Sequence, residues 1–160
     1  MSADGTPGGA GSPGRPVESR AVGFTSGLHR AHLWDMVKLV FCLRRASHLS
    51  RAEFHRYWRE THGPLVRRHA ASLRIRRYVQ LHTLEDALND ALRGTRGGPE
   101  AYDGVAELWW ESREDLAAAI ATPEGQRAGE ELLDDERRFI DLARSPLWLA
   151  EEHPIVAETR

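Results

Sequence analysis

Apolar residues fall along the chain in two periods. From Met36 to Leu43 they form an almost unbroken β-branched and apolar run, the pattern of a strand covered on both faces. Ser50 followed three residues later by Glu53 is a capping box, and Phe54, Tyr57, Trp58, Thr61 and Leu65 then recur at helical spacing. A first helix is therefore expected from about Arg51. Gly63-Pro64 interrupts it, because an interior proline removes a hydrogen bond and crowds the preceding turn, so the segment should kink or restart with Pro64 in a first turn. A helical turn should continue to about Ser72. Residues 75–82 alternate, with Ile75, Val79 and Leu81 on one side and Tyr78, Gln80 and His82 on the other, the period of a second strand.

Thr83 with Asp86 predicts a cap for a short helix over Leu84 to Arg93 that Gly94 ends, and Gly97-Gly98-Pro99 leads back to an Asp103-Gly104 turn. Residues 83–102 thus read as an inserted surface excursion. Val105 to Glu111 is a third strand, Ser112 and Asp115 cap a helix through Ile120, and Thr122-Pro123 starts another that carries Leu132, Leu133, Phe139 and Ile140. Ser145-Pro146 opens a last strand through Val156. The order is the split βαβ pattern of a ferredoxin-like unit, an α+β fold with a four-stranded antiparallel sheet. Helices on one face leave the other bare, and both alternating sets of several strands are apolar or aromatic, so a second sheet from an identical subunit should cover it.

Composition changes the picture at the ends. Residues 1–35 hold seven of the 14 glycines and three of the eight prolines without apolar periodicity, so this segment is expected to be a disordered extension. One domain over 36–156 and a short tail over 157–160 remain. The net charge of -2 hides an asymmetry: residues 36–82 carry +9 and residues 83–160 carry -11. No stretch reaches the roughly 18 apolar residues of a membrane span, and no secretory pattern opens the chain, which predicts a cytoplasmic protein without membrane contact. The single cysteine, Cys42, excludes an intramolecular disulfide and cysteine-ligated clusters.

The block Phe54-His-Arg-Tyr-Trp-Arg-Glu-Thr-His-Gly-Pro-Leu65, with Arg77-Tyr-Val-Gln-Leu-His82, Asp103-Gly-Val-Ala-Glu-Leu-Trp109 and Glu151-Glu-His-Pro-Ile155, resembles the EthD family over about residues 36–156. The resemblance implies a ferredoxin-like protomer that pairs with a second copy into a dimeric α/β barrel. It also implies relatives linked to ether breakdown beside a cytochrome P450 system, to polyketide dehydration, and more distantly to cyclases, isomerases and cofactor-free monooxygenases.

Four histidines, His48, His55, His62 and His69, stand seven apart, too far along a helix (about 10.5 Å) to chelate one ion, so no metal is expected. His62 lies at the edge of the buried stripe and is the first acid/base candidate; the alternative is that it bonds a carbonyl freed by Pro64. Tyr78, Gln80 and His82 share one strand face, and Glu107 and Trp109 share another. Polar groups in covered strands must bond one another or line a cavity. Glu107 beside Trp109 is expected to act as a general acid or to orient a histidine. Together these residues predict catalytic roles for His62, Glu107 and His82 and substrate contacts from Tyr57, Trp58, Tyr78, Gln80 and Trp109. The expected activity is metal-free and cofactor-free acid/base chemistry on a hydrophobic carbonyl- or phenol-bearing molecule, with an oxidoreductase-linked role in catabolism or secondary metabolism. The rival is a non-catalytic accessory protein serving a partner oxygenase. Nucleic-acid binding through the basic half is disfavoured, since its arginines fit a solvated helix face.

Overall fold

The computed structural model describes residues 36–156; the extension expected over 1–35 and the tail over 157–160 lie outside the described residues. The chain runs β1 (Val37–Leu43), α1 (Arg51–Tyr57), a π turn (Trp58–His62), α2 (Gly63–His69), β2 (Arg77–His82), α3 (Ala87–Gly94), β3 (Gly104–Trp110), α4 (Arg113–Ala121), α5 (Pro123–Phe139) and β4 (Leu147–Ala150). The strands lie in the order β2-β3-β1-β4 with every neighbouring pair antiparallel, the expected ferredoxin-like α+β arrangement.

Register decides which side chains meet. Leu39 opposes Leu108 and Phe41 opposes Ala106, while Tyr78, Gln80 and His82 of β2 oppose Leu108, Ala106 and Gly104. This set faces the helices, where Phe54, Trp58 and Phe139 are fully buried against Phe41, Leu43 and Ala106. Side chains alternate across a strand, so Lys38, Val40, Val79, Leu81, Glu107, Trp109 and Trp148 share the opposite, outer face.

Several local details differ from the sequence pattern. Asp86, not Thr83, caps α3 by accepting the Leu88 N–H, and the Thr83 hydroxyl instead donates to the Tyr102 carbonyl, closing the base of the 83–102 excursion. The Ile75 N–H is held by the Ala70 carbonyl at the end of a helical turn, so β2 starts only at Arg77. β4 ends at Ala150, well short of Val156. The two oppositely charged halves meet largely within the protomer: Arg45 and Arg51 pair with buried Asp103, Arg68 and His69 with Glu131, and Arg74 with Asp115.

Gly104 keeps the sheet close to the helices. A Cβ there would lie 2.5 Å from the Trp58 ring and 2.8 Å from the Leu81 carbonyl oxygen. Gly104→Ala is expected to cost about 1–3 kcal/mol by overpacking, read as a lower urea midpoint with an unchanged m-value; a midpoint within error of the parent would show that Trp58 is free to shift.

Candidate active site

The site begins with Pro64. Its ring and missing N–H disturb an α-helix one turn earlier, and here the helix widens: the Gly63 N–H reaches the Trp58 carbonyl five residues back. A π turn takes more residues per revolution than an α turn, so His62 swings from the edge of the stripe into line with Phe54 and Trp58 and is 5% exposed. It does not bond a freed carbonyl. Its Nδ1–H donates to Asp135 Oδ2 at 2.8 Å, and the Tyr57 hydroxyl donates to Asp135 Oδ1 at 2.6 Å. Burial lowers the His62 pKa and prevails over the opposing pull of Asp135. The imidazole is therefore neutral at pH 7, and with Nδ1–H committed to Asp135 its Nε2 carries the lone pair.

A second network fastens α1 to β2. Gln80 Nε2 donates to the Trp58 carbonyl and to the Tyr78 hydroxyl, both at 2.9 Å, and Trp58 Nε1 donates to the same hydroxyl at 2.9 Å. A carbonyl can only accept, which fixes the Gln80 amide, so its Oε1 accepts from His82 Nε2 at 3.0 Å. The His82 ring stacks on Trp58 at 4.7 Å and lies 4.5 Å from His55, whose Nε2 donates to the Asp103 carbonyl. Burial, then the charges of His55 and Arg59, lower the His82 pKa.

Two acidic residues missing from the sequence reading complete the picture. Asp135 and Glu136 sit in the buried stripe of α5 between Leu132 and Phe139, Asp135 toward α1 and Glu136 near enough to Tyr78 for its charge to act on the phenol. Burial, with the charge of Asp135, pushes the Glu136 carboxyl up to about 7; burial likewise takes Tyr78 up to about 12. Their signal was readable: two carboxylates at helical spacing inside an otherwise apolar stripe. A groove of about 380 Å³ bounded by Thr61, Pro64, Arg68 and Arg138 reaches Asp135 from solvent.

Five of the eight predicted site residues, Trp58, His62, Tyr78, Gln80 and His82, lie between sheet and helices, and Tyr57 joins them through Asp135. Glu107 and Trp109 do not. They face the outer side, because β3 puts odd-numbered residues opposite the β1 residues that point away from the helices. There Glu107 is ion-paired with Lys38 at 3.1 Å, and the Trp109 ring lies between the cations of Lys38 (4.6 Å) and Arg77 (4.4 Å). Among the described residues Glu107 is joined to Lys38 and to no histidine. Among the described residues no three His, Cys, Asp or Glu side chains are grouped as metal ligands, and no helix is long and apolar enough to cross a membrane.

The four-stranded sheet with its helices on one face defines a ferredoxin-like α+β protein carrying a buried histidine–carboxylate pair. The sequence profile of the EthD domain matches residues 46–143, more than half of the chain, and the protein belongs to the EthD family. An ethyl tert-butyl ether D (EthD) family protein from Bacillus halodurans C-125 is 21% identical with a TM-score of 0.51, over 74% of this chain and 99% of that one, and shares the fold. A dimeric protein of ferredoxin-like fold and unknown function from Bacteroides fragilis NCTC 9343 is 12% identical (TM-score 0.48; 74% of this chain, 97% of that one). SnoaB, a cofactor-independent oxygenase from Streptomyces nogalater, is 17% identical (TM-score 0.44; 78% and 99%). No curated protein matches the sequence.

The depressed His62 pKa makes stability depend on pH in a definite direction. The unfolded chain takes up the proton near the ordinary histidine value of about 6.5, before the folded chain does. The contribution of this residue is therefore complete above about pH 6.5 and is lost as the pH falls through its lower folded value. His62→Gln should flatten that part of the stability–pH profile. Asp135→Asn should push the His62 pKa lower still, read by histidine NMR titration; an upward shift would contradict the pairing.

Proposed function

We propose that the protein is an enzyme that transfers protons on a hydrophobic small molecule bearing a carbonyl or phenol oxygen, with His62 as base and Glu136 as acid. The observation that carries this reading is a pair of adjacent acidic residues in different surroundings: Asp135 accepts from His62 and Tyr57, while burial and the charge of Asp135 push the Glu136 carboxyl up to about 7. Groups whose environments separate their protonation states are suited to opposite halves of one proton transfer. His62 Nε2 takes a proton from carbon next to the carbonyl, Glu136 delivers one to the oxygen, and the enol so formed can return, isomerise or lose water. The groove at Asp135 supports exchange of the captured proton with solvent. A phenol ionised by the same base is the form that dioxygen, as external oxidant and electron acceptor, can oxidise, which connects this site to an oxidoreductase-linked role.

The outer sheet face supports a homodimer. Leu81 and Trp148 are about half exposed there, beside Val40, Val79 and the Lys38–Trp109–Arg77 stack. Both faces of β4 are apolar, with Leu147, Trp148 and Leu149 all exposed. Such an edge strand calls for a covering sheet, and a second copy supplies one by two-fold symmetry.

Methyl-proton exchange of acetophenone into D2O at neutral pD, followed by NMR, tests the chemistry. Catalysed exchange is expected, with His62→Gln reducing it by about 100-fold or more and Glu136→Gln removing the fall in rate above about pH 7. No exchange above buffer, or full exchange by His62→Gln, would overturn the acid–base assignment; binding without exchange favours the accessory role beside a partner oxygenase. Trp148→Glu should convert the dimer to monomer in sedimentation velocity, and an unchanged dimer would remove β4 from the interface.

A further inference from the structure

The Tyr78 hydroxyl has an unusual set of partners. Trp58 Nε1 and Gln80 Nε2 are both obligatory donors, and both point at its oxygen at 2.9 Å. Neither can take its proton. The Gln80 acceptor oxygen is occupied by His82, and the Trp58 carbonyl is occupied by Gly63 and Gln80. Glu136 acts on the phenol through its charge, but no hydrogen bond joins the two. The phenol oxygen therefore accepts twice, and its own O–H projects in the remaining direction without an acceptor among the described residues. Tyr78 is half-buried, and a donor held there without a protein acceptor is poised for one that arrives with a ligand.

We infer that Tyr78 is the anchor for the ligand: its O–H, aimed by Trp58 and Gln80, donates to a carbonyl or phenolate oxygen of an aromatic or otherwise hydrophobic molecule. This rests on the site proposed above and narrows its ligand class to one that presents an acceptor. A ligand offering only a donor would meet an oxygen whose lone pairs are already engaged. The phenol, taken up to about 12, keeps its proton across the neutral range and so remains a donor while Glu136 titrates. Apolar groups stand beside these polar ones: Tyr78 packs against the core cluster that includes Trp58 and Phe139, and Leu108 lies directly across from it. Two donors feeding the phenol oxygen also polarise its O–H, which strengthens the bond it makes to a third group.

The test compares acetophenone with ethylbenzene, which have similar shape but differ in the acceptor oxygen. The parent protein is expected to bind acetophenone roughly tenfold more tightly by NMR titration, and Tyr78→Phe should bring the ratio of the two affinities close to one. Carbonyl-labelled acetophenone on the parent protein supplies a readout that needs no variant: its bound 13C resonance should lie downfield of its position in hydrocarbon solvent. A preference that survives Tyr78→Phe, a bound resonance at the hydrocarbon position, or binding of neither probe would each overturn the inference. Neither readout involves proton exchange. A protein that holds the ketone this way but exchanges nothing refutes the acid–base proposal and leaves this one standing, and exchange without the ketone preference does the reverse.

Discussion

A proline inside a helix removes one backbone hydrogen bond and crowds the turn before it, and the way this chain absorbs Pro64 determines where its polar groups stand. The helix widens for one turn, and the Gly63 N–H shifts its bond to the Trp58 carbonyl. That carbonyl also receives the Gln80 side chain, so the irregular turn, rather than a regular helical face, is what β2 is tied to. A Cβ on Gly63 would stand only 3.3 Å from Gln80 Nε2, so the smallest residue is what admits the amide. From that one contact follow the orientation of Gln80, the tautomer of His82 and one of the two donors on Tyr78. The same widening turns His62 inward to Asp135. Two networks on opposite sides of Trp58 thus share one mechanical origin.

The burial of so many polar groups is tolerable because they are satisfied in pairs. Asp135 accepts from both His62 and Tyr57 and leaves neither carboxylate oxygen bare. Glu136, one residue further along α5, has no such partner and meets both a poorly solvated setting and the neighbouring charge, and these hold its proton on to about pH 7. Adjacent positions on a helix point about 100° apart, which is enough to aim one carboxylate at the helices and the other toward the sheet. The contrast between the two needs no exotic chemistry, only that difference in direction.

Much of this was legible in the residues. The capping box at Ser50 and Glu53, the Thr122 cap with Pro123 after it, and the alternation of β2 appear where the pattern put them, because each is a local signal that packing does not override. Grouping Tyr78, Gln80 and His82 on one face succeeded for the same reason: period two is intrinsic to a strand. Whether that face coincides with the one holding Glu107 and Trp109 is not legible in the residues, because parity within a strand says nothing about register between strands; the β2–β3 pairing sets Val79, not Gln80, opposite Glu107. His62 was placed at the stripe's edge because a helical wheel assumes an α pitch, which Pro64 abolishes. Asp135 and Glu136 escaped notice because acidic residues in a long charged helix read as solvated until the apolar positions three and four residues away are counted as a stripe.

The charge asymmetry between the two halves first suggests a surface arranged to steer two protomers together. The ion pairs argue otherwise. Arginines of the basic half are engaged by Asp103, Asp115 and Glu131 of the acidic half within one chain; the exposed pairs among them, Arg68–Glu131 and Arg74–Asp115, contribute little individually, whereas Arg45 and Arg51 meet a buried carboxylate. On the outer sheet face the cations Lys38 and Arg77 lie against Trp109, and Lys38 is further held by Glu107 and Glu152. What remains there for a second copy is apolar surface, above all Leu81 and Trp148. Opposite charge in the two halves therefore helps close the protomer on itself, whereas the association proposed for the outer face falls to the hydrophobic effect, which scales with area and is indifferent to salt screening. A single register thus gives the two sheet faces different characters: ion pairs, cation–ring contacts and exposed apolar side chains on the outer face, and a directed hydrogen-bond network among Tyr78, Gln80 and His82 on the inner one.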